Sequence, residues 1–393
     1  MTTPAQTTPS LTPPADAVRG NAKRGNAPHG NPWRPSFRGV VLAAWIELLR
    51  RRPSTKGYIV YAAAVVGIIA LSVVAAINAG PEKNSVAFEL VLILILGAGM
   101  LIGPSLSATS INGDSSEGVL APLQMTRLTA ADLALGKLFA SWIVCVAALL
   151  TTAPLLAYSF SRSGWSLGEA ATALGVILFI VLALTAVGLA WSAIAARAVA
   201  SVSLTHLTTG LLVLGTLLLF VFTLPLVGED VHVTSHDRAY DQMTQAQRDD
   251  PNFDASTLPC VELDEVYTIN HTDKTAWMLL LNPAIVVVES APLVNPDTYK
   301  EDGRAAPGIF AMLHQSVSGA RLGPQQPEAY NGCTGDYGDP EAYAKRQAEE
   351  AMLPANPIPG LALAAALLLG SMWLVVRRLR VPYTKLRTGT RVA

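Results

Sequence analysis

The side chains with the most recognisable chemistry in this 393-residue chain stand in its largest polar stretch, residues 228–357. His232 and His236 are four apart, Asp230 and Asp237 sit beside them, and His271 follows. On a helix that spacing would put two imidazoles on one face, the arrangement that grips a zinc-like ion. No HExxH accompanies them, and a stretch with 21 acidic and 8 basic side chains places histidines near carboxylates without any ligand. The expectation is therefore no metal site. Nucleotide hydrolysis would call for GxxxxGK[ST] and acyl transfer for GxSxG; neither occurs. No nucleophile and base pair is legible either, so the chain is expected to be no enzyme. Glu89 is the one acidic residue within an apolar run. It lies four residues from the start of that run, which favours a carboxylate reaching back to the membrane surface over one on an ion path.

A second polar cluster interrupts two apolar runs: GDSSEGVLAPLQMTRLTAADLALGK, residues 113–137. Asp114, Ser115 and Ser116 are good helix caps, and Asp114 and Glu117 suit the positive end of a helix dipole. Pro122 limits that first helix to a turn or two. Thr129 and Asp132 form a T-x-x-D capping box, which starts a new helix through Leu133, Leu135, Gly136 and Lys137. The reading is helix, break, helix: a compact projection suited to docking on another protein, or simply a well-capped turn.

The elements that must position these residues are membrane helices. Half the residues (51%) are hydrophobic and 15% are charged, with the apolar ones gathered in long blocks. At about 1.5 Å per residue, some 20 apolar residues cross the roughly 30 Å hydrocarbon core. Runs at 57–79, 86–107, 138–160, 170–196, 203–227 and 358–376 meet that test. The expected fold is an all-α polytopic membrane protein with six transmembrane helices. Basic residues fix its orientation: nine lie between Arg19 and Lys56, six between Arg377 and Arg391, and only Lys83 and Arg162 lie in the short loops on the other side. Both termini are expected in the cytoplasm, as in a multi-pass cytoplasmic (inner) membrane protein, with 113–137 facing inward.

Residues 1–35 read as a disordered basic tail, rich in Pro, Thr, Gly and Asn and without a signal-peptide core. In 36–52, Phe37, Val40, Val41, Ala44, Trp45, Leu48 and Leu49 recur at helical spacing behind Ser36. This describes an amphipathic interfacial helix on membrane lipid, although a helix packed on protein would show the same pattern. The acidic region 228–357 must then be extracytoplasmic. Within it, 276–292 is apolar but broken by Asn282 and Pro283, so it reads as a re-entrant or surface-lying element rather than a span. Cys260 and Cys333 lie in that region and are a possible disulfide. Residues 377–393 form a basic cytoplasmic tail.

The run 113–137 resembles the signature of ABC-2 type transporter permeases, in which a pattern like E-R-E-x-G-T-L, then T-P-L-S, then G-K connects the second and third spans. Asp114 stands at the first Glu, Gly118 and Leu120 at G and L, Thr126, Leu128 and Thr129 within T-P-L-S, and Gly136 with Lys137 at the close. Ser115 and Ser116 replace the charged pair, Val119 the Thr and Arg127 the Pro, while Pro122 is inserted. Pro154, the RRRP at 50–53 and Leu281-Asn282-Pro283 are similar to further family features.

The resemblance implies the membrane-spanning permease subunit of an ABC exporter. Such a subunit pairs with a second permease copy or paralogue and with two copies of an ABC ATP-binding subunit. ATP and Mg would belong to that partner; this chain would bind no cofactor and no nucleic acid. Asp114, Glu117, Gly118, Leu120, Thr126, Leu128, Thr129, Gly136 and Lys137 would couple it to the ATPase. The alternative is a membrane-anchored receptor or envelope-assembly factor working through the extracytoplasmic loop.

Overall fold

The computed structural model describes residues 33–51, 66–67, 70, 74, 85–120, 123, 128–293, 308–335 and 340–380. Within them the chain is mostly helical, and five helices are long and apolar enough to cross a membrane: Val86–Ser116, Ala130–Ser163, Leu167–Ile194, Ala198–Val227 and Ile358–Leu379. The first expected span, 57–79, lies outside the described residues except for Val66, Gly67, Ala70 and Val74, which are helical. The tails 1–32 and 381–393 also lie outside them.

In chain order, α1 is Phe37–Arg50, α2 Val86–Ala108, α3 Ser110–Ser116, α4 Ala130–Leu149, α5 Ala153–Ser163, α6 Leu167–Ile194, α7 Ala198–Gly210 and α8 Thr216–Thr223. The antiparallel strands β1 (Gly228–Arg238) and β2 (Cys260–Asn270) follow, pairing from Gly228 opposite Asn270 to Arg238 opposite Cys260. Then come α9 (Trp277–Leu280), α10 (Pro283–Val288), α11 (Ile309–Leu322), α12 (Pro340–Met352) and α13 (Ile358–Leu379).

Helix α6 is the centre, buried on most faces and packed by α2 on one side and α13 on another. Small residues permit the close approach of α2. A Cβ at Gly99 would lie 2.5 Å from Val181 Cγ2, one at Gly103 2.5 Å from Thr185 Oγ1, and one at Gly188 2.7 Å from Pro104 O. The G-x-x-x-G pair therefore serves contact within the chain. Ser107 Oγ, freed to reach across the same seam, donates to Thr185 O at 2.7 Å.

Two large apolar cores result, beside a small cluster of Leu279, Leu280, Ile285 and Val317. One, around Phe88, Leu92, Ile177 and Val181, extends toward the end of the bundle that carries the β-hairpin. There Phe88 packs on Phe160 and Trp165 at centroid distances of 5.6 and 5.2 Å, and Trp165 on Phe310 at 6.1 Å. The other, around Ile111, Leu138, Leu189 and Val375, lies at the end that carries α1.

The broken segment forms α9 and α10, each under two turns and so too short to span. Asn282 and Pro283 mark the break, where the Asn282 side chain accepts from Ala284 N at 2.9 Å and caps α10. Val286, Val287 and Val288 are buried in the first core, so protein satisfies this interrupted backbone.

Glu89 departs from expectation. It does not reach for the surface but is 3% exposed, and its Oε2 accepts from Phe310 N at 2.9 Å at the start of α11. The carboxylate fills the role of a helix cap from 221 residues away. That pairing is invisible along the sequence.

Candidate functional site

Five charged side chains from three helices converge at the α1 end of the bundle. Ser36 caps α1 through an accepted bond from Gly39 N at 3.0 Å. The capping box at the head of α4 is formed as the sequence predicts: Thr129 Oγ1 accepts from Asp132 N, and Asp132 Oδ2 from Thr129 N, at 3.0 and 2.9 Å. The second carboxylate oxygen of Asp132 accepts from Ser36 N at 2.7 Å. One aspartate thus fixes two helix starts and aligns α1 along α4. The two helices touch at Gly136, where a Cβ would lie 2.5 Å from Ala43 Cβ and 2.9 Å from Ala44 N.

This alignment places Glu47, Arg50 and Arg51 of α1 beside Asp114 of α3 and Lys137 of α4. Lys137 is 3% exposed. Its Nζ donates to Glu47 Oε2 at 2.9 Å and to Ser110 O at 3.1 Å, and lies 2.6 Å from Asp114 Oδ2. Arg50 donates to Asp114 Oδ1 at 2.9 Å and lies 3.5 Å from Glu117. Arg51 pairs with Glu47 at 2.9 Å and donates to Leu106 O at 3.0 Å. Asp114 therefore meets two cations and Glu47 three, counting Arg50 at 3.9 Å, which offsets the cost of removing them from water. Beside the cluster opens a groove of about 670 Å³ whose wall passes from Arg50 and Arg51 to Leu106, Val144, Ala147 and Ala148.

Burial alone would raise the Glu47 carboxyl, but Lys137 and then Arg51 outweigh it and hold its pKa below the ordinary 4.5. A carboxyl lowered on folding stabilises the native state above its unfolded pKa, and that contribution is lost as pH falls through the folded value. The melting temperature in micelles is therefore expected to fall as pH drops from about 5 toward about 3. Glu47→Gln should flatten that part of the pH profile while lowering stability at neutral pH. An unchanged profile would remove Glu47 from the cluster's energetics.

Asp114 corrects the sequence reading. The sequence places it at a helix start, as a cap; instead α3 begins at Ser110 and Asp114 sits on its last turn, 5% exposed. The charge it meets, not the dipole, determines its place. The surface of the segment is made by Ser115, Ser116, Glu117 and Gly118, all exposed. Gly118 has φ +71° with open space around it, a left-handed turn that suits glycine. Leu120 and Leu128 are half-buried against the second core, and Thr129 and Gly136 hold α1 and α4 as described. Pro122 and Thr126 lie outside the described residues. So the expected coupling residues divide: Glu117 and Gly118 present a surface, while Asp114, Gly136 and Lys137 support it from within. Sequence reasoning missed Glu47, Arg50 and Arg51 as partners. Their only local sign is Glu47, the one acidic residue on a largely apolar helix.

On α1, Gly39, Ala43, Ala44 and Glu47 are buried. Phe37 (85% exposed), Val41, Leu42, Trp45 and Leu49 are exposed. The helix uses its small residues on protein and its large apolar ones outward.

The paired histidines of the polar region stand on a strand, not on a helix. His232 and His236 belong to β1, with His232 Nδ1 3.5 Å from Asp264 Oδ1, and His271 Nε2 lies 2.9 Å from Glu229 Oε2. Among the described residues no group of three His, Cys, Asp or Glu side chains is placed to hold a metal ion. Cys260 and Cys333 are joined in a disulfide.

These features define a helical, multi-pass membrane protein with a charge-clamped helix along one end. No protein-family model matches the chain, and no curated protein matches it.

Proposed function

We propose that this chain is the membrane-spanning permease subunit of an ABC exporter of the ABC-2 type, moving its substrate with ATP hydrolysed by a separate subunit. The observation that carries the reading is the meeting of Asp114 and Lys137, the two ends of the sequence signature, in one ion cluster with α1. A loop that only connects two spans has no use for such a clamp; a loop that must transmit force does.

In this reading the six spans include 57–79, both termini are cytoplasmic, and the acidic region 228–357 lies outside. Two ATP-binding subunits grip the turn Ser115–Gly118 of each permease copy. As ATP closes them, the turn is pushed. Because α1, α3 and α4 are joined by buried charges, they move as one body and tilt the spans that continue from them. The substrate leaves between two permeases.

The deciding experiment is purification of the full chain from its native membrane, with a search for a co-purifying protein that carries a phosphate loop. Its ATP hydrolysis is then measured over a panel of amphiphiles. A chain that reproducibly comes alone overturns the reading and favours a receptor or assembly role for the outer region. Glu117→Lys is expected to weaken coupled hydrolysis about tenfold, the effect of about 1.4 kcal/mol at an interface. Gly118→Pro should do the same by removing the left-handed turn. Glu117 is exposed, so the melting temperature of Glu117→Lys should stay near wild type, while Gly118→Pro, which also removes the Gly118 N bond to Ser115 O, is read against its own melting temperature. Wild-type coupling in both variants would exclude the turn from docking.

A further inference from the structure

The helix pair α7–α8 belongs to a span, Ala198–Val227, that the rest of the described chain hardly covers. Its packing gives no reason for an irregular ladder. Yet Leu211–Gly215, between α7 and α8, is wound as a π-helix. There the hydrogen bonds run to the fifth residue on, and carbonyls are left short of a partner. In hydrocarbon such a group must be satisfied by protein.

Asn282, 1% exposed at the break between α9 and α10, supplies that partner. Its Nδ2 donates to Val213 O at 2.6 Å and to Thr216 Oγ1 at 2.9 Å. Thr216 Oγ1 in turn donates to Leu212 O at 2.9 Å. The Asn282 Oδ1 caps its own helix through Ala284 N, so every polar group of the amide is used, both N–H groups on the span and the oxygen on α10. Pro283 keeps the chain from closing over the break. The far end of α10 is equally fixed: Glu289 accepts from Asn356 N at 2.7 Å and lies 2.9 Å from His314 Nδ1. A Cβ at Gly360 of α13 would lie 2.6 Å from Leu280 O.

We infer that Asn282 is a positioning residue that holds the π turn at Leu211–Gly215. It thereby couples the hairpin-side part of that span, Thr216–Val227, to the element Trp277–Val288, whose Leu279, Leu280 and Ile285–Val288 are buried. A π turn carries an extra residue, so rewinding it to a regular helix turns everything beyond by about 100°. With the amide engaged, α8 and the hairpin that follows it are kept in one orientation. With the amide released, they can turn while α7 stays on α2. This rests on the hydrogen-bond geometry and not on the proposed transport reaction.

The test is hydrogen–deuterium exchange of the full-length protein in lipid nanodiscs. Asn282→Asp retains the oxygen that caps α10 but, even as a neutral carboxyl, has one proton where the amide has two, so Val213 O and Thr216 Oγ1 cannot both be served. Exchange of backbone amides in 213–220 is expected to rise about 3- to 30-fold, the range spanned by one interhelical hydrogen bond, while amides of α6 are unchanged. Equal exchange in 213–220, or a uniform rise that includes α6, overturns the inference. Should Asn282→Asp fail to insert, Thr216→Val removes one of the two acceptors of the same amide. It is expected to speed exchange at those positions alone, and no local rise overturns the inference.

Discussion

Lys137→Ala is expected to destabilise the protein by about 3–5 kcal/mol, the cost of leaving buried carboxylates without their counter-ion. Lys137 Nζ touches both Glu47 and Asp114; when it is gone Asp114 retains only Arg50, and Glu47 keeps Arg51 and the more distant Arg50. Alanine also leaves the space of a long side chain unfilled at the seam between α1 and α4. The destabilisation should show as a lower melting temperature in micelles and as loosening of α1, seen in faster amide exchange over 37–50. The control is the same change in a Glu47→Gln, Asp114→Asn background. With no buried negative charge left unpaired, the cost there should drop to about 1–2 kcal/mol. Equal costs in the two backgrounds would mean that shape, not charge, holds the helix. Charge reversal at Asp114 would set a cation against Arg50 and Lys137 within the bundle, so that variant reports on folding before it reports on coupling.

Loss of the disulfide is expected to have the second large effect, up to about 4 kcal/mol from the closure of a loop of this length. Cys260 and Cys333 are 73 residues apart. The two-stranded hairpin they tether is mostly exposed, and a hairpin alone is marginal in water. What holds its far end is the 330–335 turn: His236 N donates to Tyr330 O at 3.0 Å, Gly332 N to His236 O at 2.8 Å, and Arg238 to Cys333 O at 3.0 Å. Cys260→Ser with Cys333→Ser should free this end and make 239–259 a site of rapid proteolysis, with the spans intact. Treating wild-type protein with a reductant should reproduce the cleavage pattern. Resistance of the reduced protein would assign the rigidity to the hydrogen bonds instead.

Much of the architecture is legible in the chain because it depends on short-range pattern. Long uncharged runs mark the helices of a membrane protein wherever they fold, since burial in hydrocarbon is decided residue by residue along some 20 positions. The Thr129–Asp132 box and the Ser36 cap are encoded within four residues and form as written. Asn282-Pro283 stops a helix by local geometry alone. The box also places the start of α4 at Ala130, while the apolar run from 138 marks only the part in lipid.

The site itself was only half readable. Glu117 and Gly118 are exposed, but Asp114 reads as a cap because its neighbours are serines and its partners are 64 and 23 positions away. Glu89 was sent to the membrane surface for the same reason. An acidic residue near the end of a span looks the same whether it meets water or the first turn of another helix.

Taken by itself, then, the sequence determined that this is a helical membrane protein, where its helices are capped and broken, and that a polar segment at 113–137 interrupts two spans. The tertiary structure alone decided that Glu47, Asp114 and Lys137 share one cluster, that Glu89 caps α11, and that Asn282 satisfies a π turn in another helix. Caps and apolar runs are fixed by groups within one or two turns of each other. Partnerships between buried polar groups are fixed by where helices cross, and they exist only once packing has excluded the water that would otherwise take their place.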